Sequence, residues 1–431
     1  MSTILIKGGY KLNGRIKVSG SKNSVTKALI ASILTKDICI LENVPQISDV
    51  DSTIDILIHL GVNVKKLDNN KIIVQANNLS RNFIPKKLAE LNRTSFMFIG
   101  TLLNRFSEAH VPLPGGCNIG KRPINYHLDF LKLLDVKIEQ STEYYLAKCK
   151  RLKGNKIKLP YPSTTTTEHI LLSSVLADGI TVIENASQTP ETLELVEVLQ
   201  KMGAKIECNS KEFEIEGVNY LNGFQHKIMP DRNEAITLVT ASLVCGGNVI
   251  INEFPSYMDN LLNLLKKMDA KYKLENNSLH LTNDINQYKM FSIDSGPFPN
   301  YETDWIPFGL ILMNNCVGRG FVHETVFENR FMFARQIIEM GANINLSKEC
   351  LGNTTCSFSD KYLHTAEVTG PSKLKRGNLV IEELRGGAAL VIAALSTDGG
   401  ESLIKDSDIL NRGYENIFKK LKMLGANISF K

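Results

Sequence analysis

At 431 residues the chain has room for two or three domains, and a 43% apolar composition supplies their cores, which excludes general disorder. The 50 Lys and Arg nearly balance the 45 Asp and Glu, leaving a net charge of +5. That balance argues against a coat for nucleic acid or an acidic membrane, while permitting a local basic pocket for an anionic small molecule.

The first predicted element is a strand at Ile4–Lys7. A short phrase then recurs six times: LGVNV from Leu60, LDVKI from Leu134, MGAKI from Met202, MDAKY from Met268, MGANI from Met340 and LGANI from Leu424. The spacing of roughly seventy residues exceeds that of the common solenoids, so each unit reads as a small folded module. Each phrase follows a helix with apolar spacing and leads into a β-branched strand, and its usual Gly suits the backbone just past a helix end. Upstream of each phrase lies a β-rich run, and before that a second, uniformly apolar helix: Lys27–Leu34, Ser95–Leu103, His169–Ala177, Ala235–Val244, Ile306–Met313 and Ala388–Leu395.

A helix with no polar side is buried, so these six are predicted inside shells of sheets and outer helices, three per core. The fold class is α/β. Crossings between the two domains are predicted near Gly20 and Pro230, giving one domain of residues 1–20 plus 230–431 and another of 21–229. The longest apolar stretch, Gly386–Leu395, is about half a bilayer span, and Met1–Tyr10 lacks a signal-type apolar core.

The residues before the apolar helices are polar: SGSKNS, LNRTS, PSTTTT, PDRNE, ETD and ELRGG. Helix starts carry unpaired N–H groups and partial positive charge, and Lys22, Arg93, Arg232 and Arg385 add cations that capping alone does not explain. Val111–His127, with adjacent Gly115 and Gly116, reads as a loop holding Cys117 beside Lys121 and Arg122. A cysteine there is hard to explain by packing. The other seven, at 39, 149, 208, 245, 316, 350 and 356, are expected to be structural, with no Cys-x-x-Cys pair and no nearby histidine cluster. Neither a zinc site nor a disulfide framework follows, no metal or cofactor is expected, and a reducing cytoplasm is the expected location. Asp304 can be an N-cap or a general base; His127 can contact a ligand or be structural; Arg330 and Arg412 are expected to open outer helices.

On SGSKN, LPGGCNIGKRP, MPDRNE, TDW, ETVFENRFM and NRGYE, the sequence from Ile6 to Ile428 resembles the UDP-N-acetylglucosamine enolpyruvyl transferases, which open bacterial peptidoglycan synthesis. The resemblance implies a two-domain inside-out α/β barrel, each domain three βαβαββ repeats, with a cleft between the domains. It implies that phosphoenolpyruvate is protonated at its methylene carbon while the 3-hydroxyl of UDP-N-acetylglucosamine adds to C2, after which phosphate leaves. Carried over motif by motif, Cys117 resembles the acid on the loop. Lys22, Arg122 and Arg412 match the cations at the phosphate, and Arg330 and Arg385 those near the carboxylate. Asp304 matches the base at the sugar hydroxyl and Asn23 the neighbouring substrate contact. Arg93, Arg122, Ser163, Val326 and Glu328 fall at positions used for the nucleotide sugar or the cleft wall.

Several positions depart from the pattern: Asn125, the run Tyr161-Pro162-Ser163-Thr164-Thr165, Glu302 beside the base, and Glu383. All but the last lie on the acceptor side, so a different nucleotide or nucleotide-sugar acceptor is a rival reading. A non-catalytic clamp of six modules is a third, but its basic helices would spread along one face, whereas these cations gather at helix starts. Nucleic-acid and membrane partners are not expected, and the sequence leaves oligomeric state open.

Overall fold

The structure is a computed structural model that describes residues 2–115, 119–120, 124–283, 288–353, 356 and 361–431. Its frame is six helices buried along most of their length: α1 (Lys22–Ala31), α2 (Phe98–Phe106), α3 (Thr164–Ser174), α4 (Arg232–Cys245), α5 (Ile306–Met313) and α6 (Leu384–Leu395). Every residue of α4, α5 and α6 is buried, as helices without a polar stripe must be.

Four of the helices start earlier than the apolar pattern predicts, at Lys22, Thr164, Arg232 and Leu384. Polar first turns can be buried because hydroxyls bond back along the helix: Thr26 Oγ1 to the Lys22 carbonyl (3.3 Å), Thr167 Oγ1 to Ser163 (2.9 Å) and Thr237 Oγ1 to Asn233 (2.7 Å). The second starts later. Ser95 lies in a 3₁₀ turn, Arg93–Met97, capped by the Asn92 side chain, which accepts from Ser95 N at 3.2 Å.

The described residues form two compact units: residues 2–19, 119–120 and 230–431 in one, residues 20–115 and 124–229 in the other. Each has its own apolar core, three of the buried helices and three sheets among the described residues. Helices inside and sheets outside make each an inside-out α/β barrel of three repeats. In the first unit, Thr3–Lys7 inserts antiparallel between Glu401–Lys405 and Asn427–Phe430, with Ile4 opposite Ile404 and Ile6 opposite Ile428. Gly14–Lys17 runs parallel to Gly247–Asn252, so the amino-terminal strands complete sheets made by the later modules. A third sheet centres on Cys316–His323, antiparallel to Thr365–Gly370 and paired on its other side with Ile293–Asp294. In the second unit, Gln225–Lys227 runs parallel to Ile38–Glu42.

Two local expectations need correction. The stretch Val111–His127 is not loop at its two ends, because the strand Glu108–Pro112 enters it and a helix, Asn125–Leu133, leaves it. The expected lack of histidines near cysteines also fails: folding gathers His323, Cys350, Cys356 and His364, with one donor atom of each within 4.8 Å of the others. Among the described residues no helix is long and apolar enough to cross a membrane.

Helices α2 and α3 approach closely at Gly100, where a Cβ would lie 1.9 Å from Ser173 Oγ. Ser173 Oγ is itself held by a 2.7 Å bond to the His169 carbonyl, so it does not swing away freely. Gly100→Ala is expected to cost about 1–3 kcal/mol by overpacking, read as a lower urea midpoint. Adding Ser173→Ala should recover part of that loss; no recovery would place the strain elsewhere.

Candidate active site

In the first unit, the segment Tyr301–Trp305 turns once in a 3₁₀ helix, Thr303–Trp305, just before α5. Trp305 Nε1 donates to Asn233 Oδ1 (3.0 Å), and Tyr301 Oη donates to the Trp305 carbonyl (3.0 Å), which locks the turn to α4. Asp304 is thereby aimed at two arginines. Its carboxylate accepts from Arg330 Nη2 at 2.9 Å and Arg385 Nε at 3.2 Å. The N-cap position belongs to Glu302, without a side-chain capping bond, so Asp304 does not act as a cap.

Both arginines are deeply buried. The Arg330 and Arg385 side chains are 1% and 4% exposed, against 31% for Asp304. Arg330 lies in turns ahead of the helix Ala334–Glu339 rather than on a solvated helix face. Its Nε donates to Thr303 Oγ1 (3.1 Å), whose hydroxyl donates to Glu324 (2.7 Å), and its guanidinium sits 5.3 Å from the centre of the Phe327 ring. Arg385 lies in the first turn of α6, which Glu383 caps by accepting from Arg385 N (2.8 Å) and Gly386 N. The Arg385 guanidinium stacks 5.2 Å from the Tyr414 ring centre. Burial opposes its charge, yet Tyr414 and the carboxylates of Asp304 and Asp231 outweigh that and hold it above the ordinary arginine range.

One nitrogen on each guanidinium, Arg330 Nη1 and Arg385 Nη1, is buried without a hydrogen-bond partner. Glu383 Oε1 lies 3.8 Å from the first, too far for a hydrogen bond. Buried charged donors left unpaired cost more than the usual 1–3 kcal/mol, so a pair of them flanking one carboxylate is arranged for an anion.

Around this core, Glu324 is fully buried and accepts from Val326 N (2.5 Å) and Phe327 N (2.8 Å). The Val326 amide is therefore used within the turn. Burial raises the Glu324 carboxyl against the pull of Arg330. Glu328 follows, half-buried. Arg412 ends a 3₁₀ helix, Ser407–Arg412, ahead of the helix Ile417–Met423, and is half-buried. Arg232, 2% exposed, is committed to Glu302 and lies 5.6 Å from the Phe298 and Trp305 rings. The Glu302 departure is thus absorbed by an ion pair and does not put a second base at Asp304.

In the second unit, Lys22 opens α1, which Ser21 caps, and its Nζ lies 3.0 Å from Asp49 Oδ2. The Asn23 carbonyl accepts from Lys27 Nζ at 2.7 Å, and Lys27 pairs with the fully buried Glu168 at 3.2 Å. Arg93 starts the turn before α2. Ser163 caps α3, accepting from Thr166 N (3.4 Å). His127 is buried against Phe96, Phe130 and His169, and burial, aided by Arg93, lowers it to about 3. Cys117, Lys121 and Arg122 lie outside the described residues. Burial pushes Cys39, Cys245 and Cys316 up to about 12, which makes them poor nucleophiles at neutral pH.

Three residues that complete the core, Thr303, Glu324 and Tyr414, were not singled out from sequence. Each sits inside a quoted phrase, TDW, ETVFENRFM or NRGYE, and that proximity is the available signal.

Residues 6–421 match the family model described as EPSP synthase (3-phosphoshikimate 1-carboxyvinyltransferase). A UDP-N-acetylglucosamine 1-carboxyvinyltransferase of Prochlorococcus marinus (strain MIT 9301) is 39% identical over 430 residues, covering 98% of this chain and 90% of that protein. UDP-N-acetylglucosamine 1-carboxyvinyltransferase 1 of Carboxydothermus hydrogenoformans is 35% identical, covering 99% and 98%. Among solved structures, the enolpyruvyl transferase NikO from Streptomyces tendae superposes with a TM-score of 0.88 at 20% identity, covering 100% of this chain and 99% of that one. EPSP synthase from Acinetobacter baumannii superposes at 0.73 and 15% identity over the full length of both. This chain belongs to the EPSP synthase (3-phosphoshikimate 1-carboxyvinyltransferase) family, and within it to the UDP-N-acetylglucosamine 1-carboxyvinyltransferases.

Proposed function

We propose that this protein transfers the enolpyruvyl group of phosphoenolpyruvate to the 3-hydroxyl of UDP-N-acetylglucosamine and releases phosphate, in the cytoplasm. The observation that carries the reading is the pair of buried, unpartnered Nη1 atoms on Arg330 and Arg385 flanking Asp304. They fit the carboxylate of phosphoenolpyruvate, with charge-assisted bonds worth more in a dry site than in water. Asp304, which accepts from both guanidiniums, takes the hydroxyl proton as oxygen attacks C2. Cys117 delivers a proton to the methylene carbon. In the second half that carbon loses a proton, the C2–O bond to phosphate breaks, and the enol ether forms. Lys22, Arg122 and Arg412 neutralise the departing phosphate, while Asn23, Arg93, Ser163, Val326 and Glu328 serve the acceptor side.

A second reading keeps the reaction and changes the acceptor, supported by Asn125 and Tyr161–Thr165 on the acceptor side. Phosphate release from phosphoenolpyruvate with a panel of uridine nucleotides and nucleotide sugars separates the two. Release is expected with UDP-N-acetylglucosamine, slowed at least about 10²-fold by Cys117→Ala. Release only with another acceptor selects the second reading; no release with any acceptor overturns both.

A further inference from the structure

His323 ends the strand Cys316–His323, and its ladder partner is Thr365, the first residue of the neighbouring strand. His364 immediately precedes Thr365, so the two imidazoles lie side by side with ring centres 5.6 Å apart. Each ring has its outward nitrogen bound to an acceptor. His323 Nδ1 is 3.1 Å from Asp294 Oδ1, and His364 Nδ1 is 2.8 Å from the Tyr362 carbonyl. A carboxylate and a carbonyl only accept, so both rings carry their proton on Nδ1 and present a lone pair at Nε2. His323 is fully buried, and its Nε2 has no hydrogen-bond partner.

Two thiols meet those lone pairs. Cys350 Sγ lies 3.2 Å from His364 Nε2 and 3.3 Å from Cys356 Sγ, and the four donor atoms lie within 4.8 Å of one another. A tetrahedral zinc ion with ordinary Zn–S and Zn–N bonds sets its ligand atoms roughly 3.4–3.8 Å apart, close to this spacing. The support around the histidines is also of the kind that metal sites use, where a carboxylate or carbonyl fixes tautomer and ring direction. Asp294 is fixed in turn, its Oδ2 accepting from Asn353 N at 3.0 Å. A Cβ on Gly352 would fall 1.6 Å from Asp294 Oδ1, so only glycine lets the Cys350–Asn353 backbone close over that carboxylate.

We propose that His323, Cys350, Cys356 and His364 form a structural zinc(II) site. Two thiolates with two imidazoles suit zinc and disfavour magnesium or calcium, and four protein ligands leave no open position for a substrate. Zinc binding displaces the two thiol protons to solvent with no change of oxidation state. The ion would fasten the chain around Cys350 and Cys356 to the edge of the sheet, one residue from Glu324, whose carboxylate holds Val326, Phe327 and Thr303 beside Asp304. Its role is to position that turn, without contact with the reacting atoms.

Elemental analysis of the full-length protein, purified without chelator, is expected to find one zinc per chain. Mercurial titration of the thiols should release it to a chromogenic chelator. His323→Ala and Cys356→Ser should each drop bound zinc more than tenfold. Because either variant can misfold, the wild-type chain stripped of metal and refilled with cobalt(II) supplies an independent reading. Intense visible d–d bands with thiolate charge transfer in the near ultraviolet are expected. A metal-free chain with both thiols freely titratable and no cobalt spectrum overturns the proposal. So does a Cys350–Cys356 disulfide, found under reductant-free purification as a cross-linked peptide two hydrogens short in a proteolytic digest.

Discussion

Asp304→Ala is expected to lower turnover by roughly 10²–10⁴-fold while leaving KM for phosphoenolpyruvate unchanged or lower. The direction follows from the charges. Asp304 takes one bond from each of Arg330 and Arg385, so its removal leaves two buried guanidiniums with a carboxylate fewer, and they hold an anionic substrate more firmly. What is lost is the acceptor for the hydroxyl proton. Arg385→Leu is expected to do the opposite, raising KM for phosphoenolpyruvate and lowering kcat/KM by about 10²–10³-fold, because it removes a donor aimed at the substrate carboxylate. Steady-state phosphate release for both variants, with folding checked by circular dichroism, makes the comparison. Asp304→Ala with unchanged turnover and reduced stability alone would falsify its role as base and leave it a counter-ion.

The second unit is expected to lose stability on mild acidification through its buried histidine pair. Gly100 N donates to His169 Nε2 (3.2 Å), so the proton of His169 is on Nδ1 and points to His127 Nδ1 at 3.1 Å. His127 then carries its proton on Nε2, toward Thr165 Oγ1 at 3.4 Å. Protonating either ring sets two N–H groups against each other in a dry site. Burial lowers His127 to about 3, and burial together with His127 lowers His169 well below its usual range. A base whose folded value is depressed contributes stability that is complete above its unfolded value of about 6.5 and is lost as pH falls toward 3. For His127 the full loss is on the order of 5 kcal/mol.

Glu168 and Glu234 act in the other sense. Burial raises each to about 7, against the pull of Lys27 and Lys420 respectively, so they add stability as pH falls from 7 toward their unfolded value. A variant comparison isolates the histidines. Between pH 7 and 5, His127→Phe should show a shallower decline in unfolding free energy than wild type, its ring entering the cluster of Phe96 and Phe130. Equal slopes in the two proteins would remove His127 as the sensor.

The six-fold phrase and the apolar helices before it led to an α/β fold with three buried helices per core, because burial on every face leaves a mark in each local stretch of sequence. Helix starts were less legible. Lys22, Thr164 and Arg232 read as polar preludes, yet back-bonded hydroxyls and caps let them join buried helices. Asp304 shows the limit for the site, since spacing left cap and base open, and the fold puts Glu302 at the cap and turns Asp304 to Arg330 and Arg385. Glu302 and Arg232 were read separately, one as a departure and one as an anion-site cation, and the fold joins them as an ion pair.

Sequence alone determined the repeat, the buried helices and the polar, cation-bearing helix starts, all of which are properties of neighbouring residues. Tertiary structure alone decided which cation meets which carboxylate, which histidine proton points where, and that His323 and His364 stand beside Cys350 and Cys356. Those outcomes depend on strand register and helix packing between segments far apart in the chain, and no local pattern of side chains encodes a register.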